Sequence, residues 1–352
     1  MNKDLLGLNM KKNYKAETQS GLSMVELMVS LTLGLLVLLV ATTLLFTTRA
    51  SFSLQTDHSD IQESASFAID NIARSLRQAG YVNLDSSSSP QITAATSSAD
   101  IVGLDASTLS ATNSDIAGAV QSKTNFSDVL AIRFFGAGNS ISGDGTVTNC
   151  AGFPIPAPIS SDTADEDRGW SIYYVVENAN KEPELFCKYQ SINSKNGNMS
   201  WSAQAIIKGV ESFQVLYGID ISRSDLGGVK KFLTASEINA LDLGLDLVGD
   251  TATERKIDLN RKTFWKKVTE VRVAMLVSGE ERTRNDSLVN TYHLFGDDYA
   301  AIAGNVDKGT TIKESDIPTE RRNRLRRVYI TTVLLRNNCI VDLVRGICSA
   351  PA

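Results

Sequence analysis

Histidine is nearly missing from this chain: His58 and His293 are the only two in 352 residues. The four cysteines stand too far apart for finger-type spacing, so a structural zinc site has little to draw on and no metal or cofactor is expected. Positive charge is not in excess either. A formal net charge of −5 and a pI near 5.3 disfavour nucleic acid as a partner. Catalytic signatures are absent: there is no G-x-S-x-G, no H-E-x-x-H and no phosphate-cradling G-x-x-x-x-G-K-[ST]. His293 lies in an apolar Tyr-His-Leu-Phe setting and reads as structural, and Asp165-Glu166-Asp167 reads as a solvated acidic loop. No catalytic residues are assigned, and a non-enzymatic protein is the expectation. No βαβ alternation appears, which argues against a doubly wound parallel sheet, and no internal repeat is found. What remains is an ordinary globular composition, 42% hydrophobic and 21% charged, ample for a core and incompatible with wholesale disorder.

One stretch breaks that average. Residues 27–48, LMVSLTLGLLVLLVATTLLFTT, are 22 residues without a charge. As a helix they rise about 33 Å, enough for a bilayer core of ~30 Å. A buried core helix is usually shorter and keeps a polar face. Lys3, Lys11, Lys12 and Lys15 outnumber Asp4 and Glu17 in the preceding flank, a bias that keeps this end in the cytoplasm. Arg49 closes the run, and the rest of the chain is expected beyond the membrane. A secretory signal would carry a small-residue cleavage site after its apolar region, and none follows here. The candidate processing site comes before it, in Ser20-Gly21-Leu22-Ser23-Met24-Val25-Glu26-Leu27. Ser23-x-x-Glu26 also reads as a capping box, which accounts for Glu26 but not for Gly21.

Glycine, then glutamate five residues on, then an uninterrupted apolar span after a basic leader, resembles the type IV prepilin signal. That resemblance implies a prepilin peptidase cutting between Gly21 and Leu22, N-methylation of Leu22, and a role for Glu26, then the fifth residue, in subunit assembly. Leu22 departs from the phenylalanine usual at the first position. A start at Met10 would leave a leader of 12 residues with Lys11 and Lys12 at its front.

The helical pattern continues past Arg49. No proline or internal glycine interrupts 50–79, and Ile61, Ala65, Ala68, Ile72, Leu76 and Ala79 form one apolar stripe. Asp57, Asp60, Glu63, Asp70, Arg74 and Arg77 fall largely elsewhere, and Gly80 is a plausible stop. The organisation expected is therefore a leader, 1–21; a transmembrane or filament-core half-helix, 22–48; an amphipathic half, 49–80; and a periplasmic head, 81–352.

In the head, 85–125 and 136–169 read as loops, the second carrying Pro154-x-Pro156-x-Pro158. Between and after them lie β-type runs: Asp128–Phe135, Trp170–Val176, Leu185–Tyr189, Ala205–Tyr217, Val268–Val277 and Arg327–Leu335. A long helix followed by antiparallel strands makes the fold class α+β and pilin-like. Asp220, Ser222 and Asp225 are too few for a calcium loop. All four cysteines lie beyond the apolar span. Disulfides are expected in an oxidising compartment, with Cys150–Cys187 and Cys339–Cys348 chosen from three possible connectivities and four buried thiols as the alternative. Five arginines between Arg321 and Arg327 could meet phosphates, but such a run more often forms a salt-bridged surface.

Gly209-Val-Glu-Ser-Phe-Gln-Val-Leu-Tyr-Gly-Ile-Asp220, Trp265-Lys-Lys-Val-Thr-Glu-Val-Arg-Val-Ala-Met-Leu276 and Arg326-Arg-Val-Tyr-Ile-Thr-Thr-Val-Leu-Leu-Arg-Asn337 resemble stretches of the PilW family of type IV pilus minor pilins. This implies a protein of the bacterial inner membrane and then of the pilus. Its partners would be other minor pilins, the major pilin, the prepilin peptidase, the inner-membrane assembly platform and a PilY-type tip adhesin. Twitching motility, adhesion and DNA uptake would follow from assembly. A J-type minor pseudopilin of type II secretion shares the same layout and stands as the alternative. A signal-anchored periplasmic enzyme is a more distant one.

Overall fold

The computed structural model describes residues 21, 23–81, 97–159, 165–192, 199–220, 230–284, 289–336, 340–342 and 347–349. Its first element is a helix of 55 residues, α1 (Met24–Gln78). Strands β1 (Ile101–Leu104), β2 (Ser107–Thr108), β3 (Val120–Gln121) and β4 (Val129–Phe134) follow. Next come β5 (Gly169–Glu177), β6 (Pro183–Ile192), β7 (Met199–Lys208), β8 (Val210–Asp220) and β9 (Lys230–Leu233). Helices α2 (Ala235–Leu243) and α3 (Ala252–Lys262) precede β10 (Val268–Ser278). Then come β11 (Thr291–His293), α4 (Asp297–Ala303), β12 (Thr311–Lys313), β13 (Arg326–Leu334) and the hairpin of β14 (Ile340–Asp342) and β15 (Ile347–Ser349). The architecture is α+β, a long N-terminal helix followed by antiparallel sheets.

The chain divides into two compact units, Met1–Ser53 and Leu54–Ala352. In the first, the described residues form the apolar part of α1. Its large side chains from Met24 to Phe46 are exposed on every side.

The second unit holds two antiparallel sheets, one of five strands in the order β1-β4-β5-β6-β7 and one of four in the order β13-β10-β8-β9. The expected stripe of α1 is what enters the core: Ile61, Ala65, Ala68, Ile72, Leu76 and Ala79 are all buried. They join Leu130, Ile132, Phe134 and Tyr173 of one sheet and Phe213, Val215, Tyr217 and Val273 of the other in a single cluster. Asp57 is buried too, because it stands one turn before Ile61 on the same face; it accepts a hydrogen bond from Thr283 Oγ1 at 3.0 Å. Helix α1 ends where Gly80 takes φ +66°, and the Gly80 N–H bonds Arg133 O of β4 instead of continuing the helix.

Two loop or strand expectations need correction, and one stretch without an expectation proves helical. Part of 85–125 is not surface: β1 completes the five-stranded sheet, with Ile101 buried opposite Ile132. The run Ala205–Tyr217 is two strands. Gly209, at φ +75°, turns the chain from the edge of one sheet into the middle of the other. The stretch 230–262 carries α2 and α3, each opened by a complete capping box, Thr234 with Glu237 and Thr251 with Glu254. The 136–159 segment is a loop as expected, and Ile155 and Ala157 between its prolines are buried, so it packs inward. The considered calcium loop after Asp220 lies outside the described residues.

Candidate assembly site

The N-terminal part of α1 contains six hydroxyl residues, Ser30, Thr32, Thr42, Thr43, Thr47 and Thr48. Each donates to a carbonyl three or four residues back, at 2.7–3.0 Å. In hydrocarbon a hydroxyl without a partner is costly, and this pattern satisfies every one within the helix. The helix is long and apolar enough to cross a membrane, by length and composition. Its exposed apolar surface needs a cover of lipid or of other apolar helices.

Glu26 sits in the first turn. The Ser23 N–H donates to Glu26 Oε2 at 3.1 Å and the Glu26 N–H donates to Ser23 Oγ at 3.2 Å, so the two close a capping box. Both are exposed in the single chain. Gly21 is exposed ahead of the helix, and a side chain built there would meet nothing within 4 Å. Packing among the described residues gives no reason for a glycine at that position. Leu22 lies outside the described residues, and with it the expected methylation site.

Cys150 and Cys187 form a disulfide with Cα atoms 6.0 Å apart, tying the 136–159 loop to β6. Cys339 lies outside the described residues, and so does the expected Cys339–Cys348 pair; Cys348 stands on β15 opposite Val341.

The arginine run is salt-bridged rather than free. Arg321 meets Glu177 at 3.4 Å and Arg324 meets Glu182 at 2.8 Å. Arg326 grips Glu211 at 2.6 Å and Glu314 at 3.1 Å. Arg322 donates to Ile317 O and Ser315 O, and Arg327 donates to His58 Nε2 at 2.7 Å. The hydrogen bond from Arg324 holds the Glu182 carboxyl below the usual range. Sequence reading missed Glu177, Glu182 and Glu211, because they lie 144, 142 and 115 residues away from their arginines, and it missed Glu314 only 12 residues before Arg326.

Asp165 is likewise not a solvated acid. It pairs with Arg168 at 3.1 Å and Arg133 at 3.6 Å, while Arg168 also grips Asp100. Burial alone would raise the Asp165 pKa; the two guanidiniums outweigh it and hold it below the ordinary value. Burial, then the neighbouring Arg168, lowers Arg133 to about 10. His293 is half-buried and shares a hydrogen bond with Thr311 Oγ1 at 3.1 Å. No group of three or more candidate metal ligands occurs among the described residues.

The geometry is thus a membrane-compatible helix, capped by Ser23 and Glu26, whose later turns form part of the core of a two-sheet head. Residues 172–337 match the family model PilW, Type IV Pilus-assembly protein W. The match bears out the resemblance to that family and supports a role in type IV pilus assembly. It starts inside β5 and ends just after β13, so it rests on the two sheets and owes nothing to α1 or to the Gly21–Glu26 motif. No curated protein and no solved structure matches the chain.

Proposed function

We propose that this chain is a minor pilin that takes part in starting type IV pili, within a priming or tip complex. The observation that carries this reading is the coincidence of two separate signatures. The sheets of the head match a pilus-assembly family, and an untouched stretch upstream reads as a prepilin leader on an apolar helix. In this reading a prepilin peptidase cuts between Gly21 and Leu22, Leu22 is methylated, and the chain waits in the inner membrane with its head in the periplasm. Other minor pilins, the major pilin, the assembly platform and a tip adhesin are its partners. Motility, adhesion and DNA uptake depend on it through the filament.

The physical basis is burial. Some twenty residues of exposed apolar helix are stable in lipid and equally stable against other such helices, so extraction from the membrane into a filament exchanges one apolar cover for another. Deleting the gene and complementing it tests the proposal. Loss of surface pili and of twitching, with export of folded enzymes intact, is the expected result. Intact pili with failed enzyme export would assign the chain to a secretion pseudopilus instead.

A further inference from the structure

The head carries an open cleft of about 410 Å³ on the helix-facing side of its five-stranded sheet, within the size range of small-molecule sites. Three walls meet there. One is a face of α1, on which Phe67, Asp70, Asn71 and Arg74 recur at i, i+3, i+4 and i+7. The second is the turn 148–152, and the third is the sheet itself at Cys187 of β6 and Gln204 of β7. Cys187 belongs to the core cluster that holds Ile61, Ala65 and Ile72 of α1. Gln204 stands directly opposite it in the β6–β7 register, so both side chains lie on the helix side of the sheet.

The deeper polar groups already have partners. Asn71 Nδ2 donates to Cys150 O at 3.0 Å, Tyr173 Oη donates to Asn71 Oδ1 at 2.7 Å, and Ser75 Oγ lies 2.7 Å from Tyr173 Oη. Asn149 Oδ1 accepts from the N–H groups of Ala151 and Phe153 at 3.0 and 3.1 Å. The Cys150–Cys187 disulfide fastens the turn 148–152 to β6, so the walls are tied together before anything enters. Nearer the solvent the pattern reverses. Asp70, Arg74, Thr148 and Gln204 make no side-chain hydrogen bond or ion pair among the described residues, and Phe67 beside them is 55% exposed.

Those open groups set the chemistry of a ligand. They are a carboxylate, a guanidinium, a hydroxyl and an amide, so donors and acceptors are mixed and the formal charges cancel. A ligand of one charge would meet its own sign a single helical turn from its partner. A sugar hydroxyl donates once and accepts twice, so the same group answers a carboxylate, an amide and a guanidinium. The face of a pyranose ring that carries only C–H bonds suits an exposed phenyl ring.

We propose that this cleft binds a neutral saccharide, with Phe67 against a ring face and Asp70, Arg74 and Gln204 hydrogen-bonded to its hydroxyls. The buried network behind them holds the shape, and the open side chains supply the recognition. The site stands independently of the pilus reading, since it needs only the head.

The test uses the full-length protein in micelles of a detergent without a sugar headgroup. The probes are maltose, cellobiose, lactose and N,N′-diacetylchitobiose. Saturation-transfer difference NMR detects contact, and calorimetry gives the affinity. At least one disaccharide should bind, with its ring C–H protons receiving the strongest transfer. Phe67→Ala and Asp70→Asn, both at exposed helical positions, should each weaken it by about tenfold or more. Gln62→Ala, an exposed change on α1 outside the cleft, should leave it unchanged. Raising sodium chloride from about 0.05 to about 0.5 M should not weaken the binding of a neutral ligand. Failure of every disaccharide to bind, or binding indifferent to both cleft variants, would overturn the proposal. So would tighter binding of the zwitterion glycylglycine that salt abolishes, which would give Asp70 and Arg74 to an ammonium and a carboxylate.

Discussion

Arg326 and Glu211 are both wholly excluded from water, and they meet through two hydrogen bonds of 2.6 and 3.1 Å. Glu314 takes a third, from Arg326 Nη1, and is itself held by Arg284 at 2.9 Å. A buried pair of this kind adds little over a well-packed apolar pair, but removing one partner leaves a bare charge in the core. Glu211→Ala should therefore destabilise the head by about 3–5 kcal/mol in thermal or urea melts, whereas replacing Glu211 and Arg326 together by Leu and Met should cost far less. Asp307 shows the opposite sign. Burial, with Asp105 and Glu237 nearby, raises its pKa to about 6 despite the hydrogen bond from Tyr299. In the unfolded chain the group titrates at about 3.8. The folded state thus holds the proton more tightly, and the stability it brings is full below the unfolded value and lost as pH rises through about 6. Asp307→Asn should flatten the fall in melting temperature between pH 4 and pH 6.5 and melt higher than the parent at pH 7. An unchanged slope would show that another group sets it.

At the scale of elements, α1 is the piece whose sequence and structure agree most closely. The stripe from Ile61 to Ala79 is local, with each residue announcing the next three or four positions on, and every one of the six is buried. Ile72→Ala, at a fully buried position facing both sheets, should cost about 2–5 kcal/mol, read from the melting transition of the full chain. An exposed residue of the same helix such as Gln62, changed to Ala, should cost under about 0.5 kcal/mol. The sheets were less legible. Long strands such as β5 and β10 stand out by their Val, Ile and Tyr content, but β1 has only four residues and is a strand because Ile132 and Leu130 lie opposite it. β7 and β8 read as one apolar run because only the backbone of Gly209 separates them. Helices α2 and α3 were missed although each opens with a capping box, and α3 buries nothing and offered no apolar stripe to find. Ion pairs such as Arg324 with Glu182 join positions 142 apart, and nothing local encodes that distance.

At the scale of the whole molecule, the question is what becomes of a carboxylate at the mouth of an apolar helix. In the single chain Glu26 has an occupation, closing the capping box with Ser23 at the water-exposed start of α1. Cleavage after Gly21 would change its surroundings by creating a positive amine on Leu22, four residues before it. Packed among other apolar helices, either charge alone would be expensive, and a glutamate of one subunit beside the amine of a neighbour would relieve both. A cap stabilises its own helix by about 0.5–2 kcal/mol and carries no information about the stagger between subunits, whereas an intersubunit pair does both. Glu26→Ala should accordingly still insert in the membrane and still be cut, with mass spectrometry giving Leu22 as the first residue. It should co-purify poorly with its pilin partners, and surface pili should be scarce. Normal recovery and normal piliation would leave Glu26 as a helix cap only. Loss of cleavage would move its role to recognition by the peptidase.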